Sequence, residues 1–143
     1  CPAKWKVVDA DTSHPNNPAE MAIDGNSATM WHTPWGNDVP KHPHYISVDL
    51  GETLLLKGFT YNPRTDHNKS GTAFRYAFYV SDNGKDWKLV PTKGEFSNIK
   101  NNPVKQFVRF EKPKNARYFK FMAKEAINGE DWVSVGEIGI LTK

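Results

Sequence analysis

An all-β fold, an antiparallel sandwich or jelly roll of about eight short strands, is predicted by three features of this sequence. Period-two alternation of apolar and polar residues recurs along the chain, Gly, Pro, Asn and Asp clusters separate the alternating runs, and no window of a dozen residues carries a clean helical stripe. Strands without βα alternation argue against a parallel sheet. The 143 residues fit a single domain, 1–143, and its apolar content is concentrated in rings: five Trp, eight Phe and five Tyr, 13% of the chain.

Taken in order, Trp5–Val8 is the first strand candidate. Residues 9–43 are strand-poor; their best helical stretch, Pro18–Ile23, is one turn long. In His44–Leu50, Ile46, Val48 and Leu50 alternate with polar partners, the mark of a half-buried strand. Leu54–Tyr61 follows. Phe74–Ser81 places Phe74, Tyr76, Phe78 and Val80 on one face, and Asp82-Asn83-Gly84 then tolerates the positive φ of a hairpin turn into Asp86–Val90. Val104–Phe110, Arg117–Ala123 and Ser134–Leu141 complete the set.

Charge and cysteine content exclude several classes of function. The net charge of +3 comes from interspersed basic and acidic residues, so no stripe steers nucleic acid, and no RNA-binding motif is present. Cys1 is the one cysteine, which rules out an intrachain disulfide and leaves either a cut from a longer protein or the acylated N-terminus of a lipoprotein. No run approaches eighteen apolar residues, the length a membrane-crossing helix needs. The histidines fit no zinc signature, since His42 and His44 are two apart and His14, His32 and His67 stand alone; nucleophile elbows and phosphate loops are also missing.

The unusual residues sit in loops, and the 9–43 stretch exceeds the usual connection of 4–6 residues. Met21–Thr29 is a tight oxygen-rich turn with Gly25 at the bend; Asp24, Asn26 and Thr29 suit a hard cation, although Asp-Gly-Asn is also an ordinary turn sequence. His32-Thr33-Pro34-Trp35 offers either an exposed flat ring for the C–H face of a pyranose or a plug packed into the loop. In Asn62–Asn68, Arg64 presents a fork of donors able to bridge two hydroxyls and Asn68 both donates and accepts, while Arg64 and Asp66 could equally form a surface ion pair. Trp132, in Asn128–Trp132, either lines the far wall of a pocket or caps the end of the sandwich.

The runs Ala22–His32, Ile46–Gly51, Tyr79–Trp87, Ala116–Phe121 and Gly136–Ile138, in this order across nearly the whole chain, resemble the coagulation factor V/VIII type C (discoidin) superfamily, and within it family 32 carbohydrate-binding modules of bacterial glycoside hydrolases. The resemblance implies an eight-stranded jelly roll with one structural Ca2+, held by side chains of Asp24, Asn26, Thr29 and Glu137 and backbone oxygens of Met21 and Thr29. Asn26 stands where many relatives have Asp. By the same resemblance His32, Trp35, Arg64 and Asn68 would contact sugar, Trp31 would belong to the core, and His14 and Asn16 occupy a loop where relatives often carry a sugar-binding acid.

The expectation is a non-catalytic, extracytoplasmic module, a monomer tethered to a larger enzyme such as a chitobiase-like hexosaminidase. Its partner would be a glycan ending in galactose, N-acetylgalactosamine or N-acetylglucosamine. The neighbouring alternatives are a module of a surface glycan-binding lipoprotein and a membrane- or protein-adhesion discoidin domain. Membrane-binding relatives normally tie their termini with a disulfide, impossible here, and the loop tips carry Trp beside His, Arg and Asn rather than bare aliphatics.

Overall fold

The computed structural model describes residues 4–143, so Cys1 lies outside the described residues. Eight strands and one 3₁₀ turn follow each other: β1 (Lys6–Ala10), the 3₁₀ turn (Ala19–Ala22), β2 (Trp31–His32), β3 (His44–Asn62), β4 (Ala73–Ser81), β5 (Lys88–Leu89), β6 (Gln106–Ala126), β7 (Ser134–Val135) and β8 (Glu137–Leu141). The strand count meets the expectation by a different partition. His44–Leu50 and Leu54–Tyr61 are two halves of the bent strand β3, Val104–Phe110 and Arg117–Ala123 fall largely within the single strand β6, and β2 is an addition. Gly136 divides the predicted last strand, and the close approach there needs glycine, since a Cβ would lie 2.7 Å from the Pro63 carbonyl oxygen.

Bent β3 and β6 run side by side and build both layers of the jelly-roll sandwich. The first half of β3 pairs with β1 (Lys6 opposite Asp49) and with the second half of β6 (Ile46 opposite Phe121), which in turn pairs with β4 and, through it, β5. Its second half pairs with β8 (Phe59 opposite Ile140) and with the first half of β6 (Thr60 opposite Phe107). At the bend Gly51 has φ +81° and donates its N–H to Asp49 Oδ1 at 2.8 Å, a conformation that side-chain-bearing residues resist. Gly58 marks a register shift where β3 presses on β6; a Cβ there would fall 2.2 Å from the Val108 oxygen.

The core explains the ring-rich composition. Phe59 of one layer stacks on Phe78 of the other at 4.3 Å, with Phe121, Phe110 and Tyr76 around it, and Tyr61 stacks on Phe96 at 5.0 Å. Ile46, Val48, Leu50, Tyr76, Phe78 and Val80, the predicted inward set, are buried; Phe74 is half-buried against the same core. Trp31 is fully buried, and its indole N–H finds partners in Thr12 O at 3.1 Å and Ser13 Oγ at 3.0 Å. Both ends of β3 and the paired β2–β7 ribbon lie at one end of the sandwich, which is where the long loops gather.

Candidate functional site

The short β2 ends at His32, and Thr33 anchors the following loop to the body, donating its N–H to Val133 O at 3.0 Å and accepting the Val133 N–H on its hydroxyl at 2.9 Å. Beyond this anchor Pro34 and Gly36 hold Trp35 outward, 48% exposed. Its indole is not bare on both sides: the His14 ring lies parallel to it, 4.1 Å away and tilted only 15°, while His32 meets it edge-on at 4.6 Å. A ligand ring therefore has the face opposite His14.

His32 is buried, and its Nδ1 lies 2.6 Å from Thr33 O, so Nδ1 carries the proton. Burial, the Arg64 guanidinium and His14 together outweigh the Thr33 bond and hold its pKa below that of a free histidine. The neutral ring thus keeps a bare Nε2, an acceptor. Arg64 places Nε and Nη2 on the two oxygens of Asp66, at 2.9 and 2.7 Å, and gives one Nη1–H to Ser70 O at 3.2 Å. Three of its five N–H donors are engaged, which leaves two. Asn68 accepts the Ser70 N–H on Oδ1 at 2.8 Å and keeps the donors of its amide nitrogen.

His32, Trp35, Arg64 and Asn68 line one cleft of about 440 Å³, together with Asn17, Met30, Asp66 and Ser70. Trp132 stands behind that wall rather than in it, donating its indole N–H to Ser70 Oγ at 2.8 Å. Ser70 Oγ also donates to Glu130 Oε2 at 3.1 Å, and Glu130 Oε1 accepts the Gly71 N–H at 2.9 Å. Asn17 and Ser70 carry no pattern in the sequence, since they enter through loop closure: Asn17 O accepts the His32 N–H and its amide reaches Met30 O. A second cleft of about 480 Å³ lies beside Glu137, but its exposed ring, Phe107, has the Lys105 ammonium 5.3 Å over its face.

The oxygen-rich turn adjoins this cleft. Gly25, at φ +75°, donates its N–H to Glu137 Oε2 at 2.9 Å across 112 residues of chain. Asp24 Oδ1 accepts the Asn26 N–H, Asn26 Oδ1 accepts the Ala28 N–H, and Thr29 Oγ1 donates to Asp24 Oδ2 and sits 2.9 Å from Asn26 O. Met21 lies in the 3₁₀ turn just before. Glu137 Oε1 is buried with no hydrogen-bond partner, and burial, then the Asp24 carboxylate, outweigh the Gly25 bond and push the Glu137 pKa up to about 7. Among the described residues no three His, Cys, Asp or Glu side chains converge, so a cation here would rest on two carboxylates and neutral oxygens. That donor set, with its orphaned carboxylate oxygen, fits a hard ion. Thr65 ties the turn to the Arg64 loop, donating its hydroxyl to Ser27 O at 2.8 Å.

The family profile of the F5/8 type C domain matches residues 7–138. The chain belongs to the F5/8 type C family. Among solved structures, this F5/8 type C domain is similar to the family 32 carbohydrate-binding module of Clostridium perfringens NanJ in complex with galactose (TM-score 0.82, 29% identity, covering 96% of this chain and 93% of that one). It is also similar to the Clostridium perfringens module CpGH89CBM32-5 in complex with GalNAc-β-1,3-galactose (TM-score 0.83, 27% identity, 96% and 95% covered). Among characterised sequences, galactose oxidase of Gibberella zeae is 33% identical over 137 residues and sialidase of Micromonospora viridifaciens 32% identical over 142. The match covers 95% and 96% of this chain but only 19% and 21% of those proteins, so the chain spans about a fifth of their length.

Proposed function

We propose that this domain is a non-catalytic carbohydrate-binding module that takes a terminal galactose or N-acetylgalactosamine on Trp35. The observation that carries this reading is the cleft itself, one exposed indole face bordered by polar groups already held in place. The C–H face of a pyranose covers the ring; the two remaining Arg64 N–H groups bridge adjacent hydroxyls, His32 Nε2 accepts from a hydroxyl, and the Asn68 amide donates to another. Because Asp66 and Ser70 orient the guanidinium beforehand, little side-chain freedom is lost on binding. The complexes of the two Clostridium perfringens modules with galactose and a galactoside support this choice of sugar.

An axial 4-hydroxyl leaves the C3–C4–C5 hydrogens as one apolar patch for Trp35 and points toward His32 and Arg64; an equatorial one misses them. Leaving such buried partners unsatisfied costs about 1–3 kcal/mol, roughly 5- to 150-fold in affinity. With one ring and exchangeable hydrogen bonds, Kd is on the order of 10 μM to 1 mM.

Ca2+ is proposed as a structural ion, held by Asp24, Asn26, Thr29 and Glu137 with backbone oxygens of Met21 and Thr29. It would supply charge neutralisation for the two carboxylates and close the loop between the first turn and β8. The parent is proposed to be an extracytoplasmic glycosidase that the module brings to its glycan, in keeping with sialidase among the relatives. Titration calorimetry with galactose, N-acetylgalactosamine, glucose and N-acetylglucosamine tests the reading. Heat from the first two well above the others is expected; equal or stronger heat from N-acetylglucosamine refutes the axial-hydroxyl choice, and no heat from any of the four refutes the module.

A further inference from the structure

Behind the cleft a buried histidine pair grips the strap 130–133 by its backbone. His44 is fully buried at the start of β3, with Nδ1 2.7 Å from Asp11 Oδ2 and Nε2 2.7 Å from Asp131 O. Both partners are acceptors only. A neutral imidazole has one N–H, so satisfying both ends requires the imidazolium. His42, 4.7 Å away ring to ring, faces two more carbonyls, Ala123 O and Trp132 O, each at 3.2 Å. The strap continues directly into the cleft wall: Trp132 and Glu130 hold Ser70 Oγ and the Gly71 N–H, Ser134 Oγ donates to Ser70 O at 2.8 Å, and that same Ser70 O accepts from Arg64.

We propose that His44, with His42 beside it, is a positioning residue for the glycan cleft: charged, it clamps the strap that sets Ser70 and Arg64, and on losing its proton it lets the wall slacken. This rests on the carbohydrate-binding reading of the cleft. Neutral His44 leaves a bare nitrogen against either a carboxylate or a carbonyl, a repulsive contact in a buried place. The titratable groups facing His44 are the Asp11 carboxylate, the Asp131 carboxylate and the His42 ring; across the β3–β6 pair it meets Ala123. Burial lowers its pKa, but the bonds to Asp11 and to the Asp131 carbonyl, with both aspartate charges, more than offset this and leave it raised. The clamp is therefore complete below the ordinary histidine pKa of about 6.5 and is lost as pH rises through the raised value. His32 acts in the opposite sense, since acid protonates the Nε2 that must accept. Galactose affinity then passes through a maximum, with His32 on the acid limb and His44 on the alkaline one.

The experiment is NMR titration of the intact domain from pH 5 to 9, following the His44 ring and the Ser70 and Gly71 amides, with galactose Kd measured across the same range. The expected result is that the two amides shift with the His44 midpoint and that affinity falls roughly two- to thirtyfold over that transition. Asp11→Asn removes the charge and, with its oxygen on the Tyr45 N–H, sets an amide N–H against His44 Nδ1, so neutral His44 keeps both partners; it lowers the midpoint and flattens the amide shifts and the alkaline limb while leaving the acid limb in place. A His44 midpoint below that of free histidine, amides indifferent to it, or an affinity flat above pH 7 overturns the proposal. Absence of galactose binding at every pH instead overturns the carbohydrate reading, and the amide titration still decides whether the clamp exists.

Discussion

Trp35 shows how much of the site a single residue carries. It is the one ring the cleft exposes, and its other face is filled by His14, so removing it strips the stacking surface without opening the core. Trp35→Ala is expected to weaken galactose by about 2 kcal/mol or more, which takes a weak ligand out of calorimetric range, while the thermal midpoint stays within a degree or two. A variant that still binds with unchanged Kd sinks the platform. Position in the sequence pointed to Trp35, His32, Arg64 and Asn68 because loop aromatics and forked donors beside Gly and Pro have few structural uses. The ion pair of Arg64 with Asp66, weighed against sugar contact, turns out to coexist with a place in the cleft, since a guanidinium has donors to spare. Trp132 is expected at the far wall or the sandwich end, but its place behind the wall on Ser70, like the entry of Asn17 and Ser70 into the cleft, depends on loop closures between residues 62 and 13 positions apart.

At the scale of elements, the 24–29 turn and β8 are joined through the Gly25 N–H on Glu137, and two carboxylates face each other there with one oxygen unpartnered. With the proposed clasp, Ca2+ at about a hundredfold over its Kd would add about 2.7 kcal/mol of stability, so chelation should lower the melting temperature by on the order of 5–10 °C. Asp24→Ala should do the same in the presence of Ca2+. A melt indifferent to calcium, chelator and this substitution removes the clasp. Strand identity was readable from alternation, whereas strand continuity was not. Polar stretches such as 51–53, which holds Gly51, and 111–115, which holds Pro113, look like turns to a period-two reading, yet after a register shift at the bend the pairing resumes with Leu54 opposite Ala116. β2 is two residues long, too short for any period, and exists because β7 lies beside it.

For the whole molecule, the described lining of the cleft contains stackers, amides and a guanidinium, and its one carboxylate, Asp66, is committed to Arg64, whereas glycoside hydrolysis uses a carboxylate pair about 5–9.5 Å apart. Purified domain is expected to release no product from aryl galactosides or N-acetylhexosaminides over hours at high protein concentration. Reproducible turnover abolished by a cleft substitution contradicts the binding-module assignment. β1 begins opposite Asp49 and β8 ends opposite Gly58, so both emerge beside the bend of β3, where Lys4 meets Glu52 and Arg109 meets the Lys143 carbonyl, at the far end from Trp35. A pull between a glycan seated on Trp35 and an attachment at either end of the chain thus runs along the strands. The β1–β3 and β3–β8 ladders would then be loaded in shear, all rungs sharing the force, rather than peeled one bond at a time.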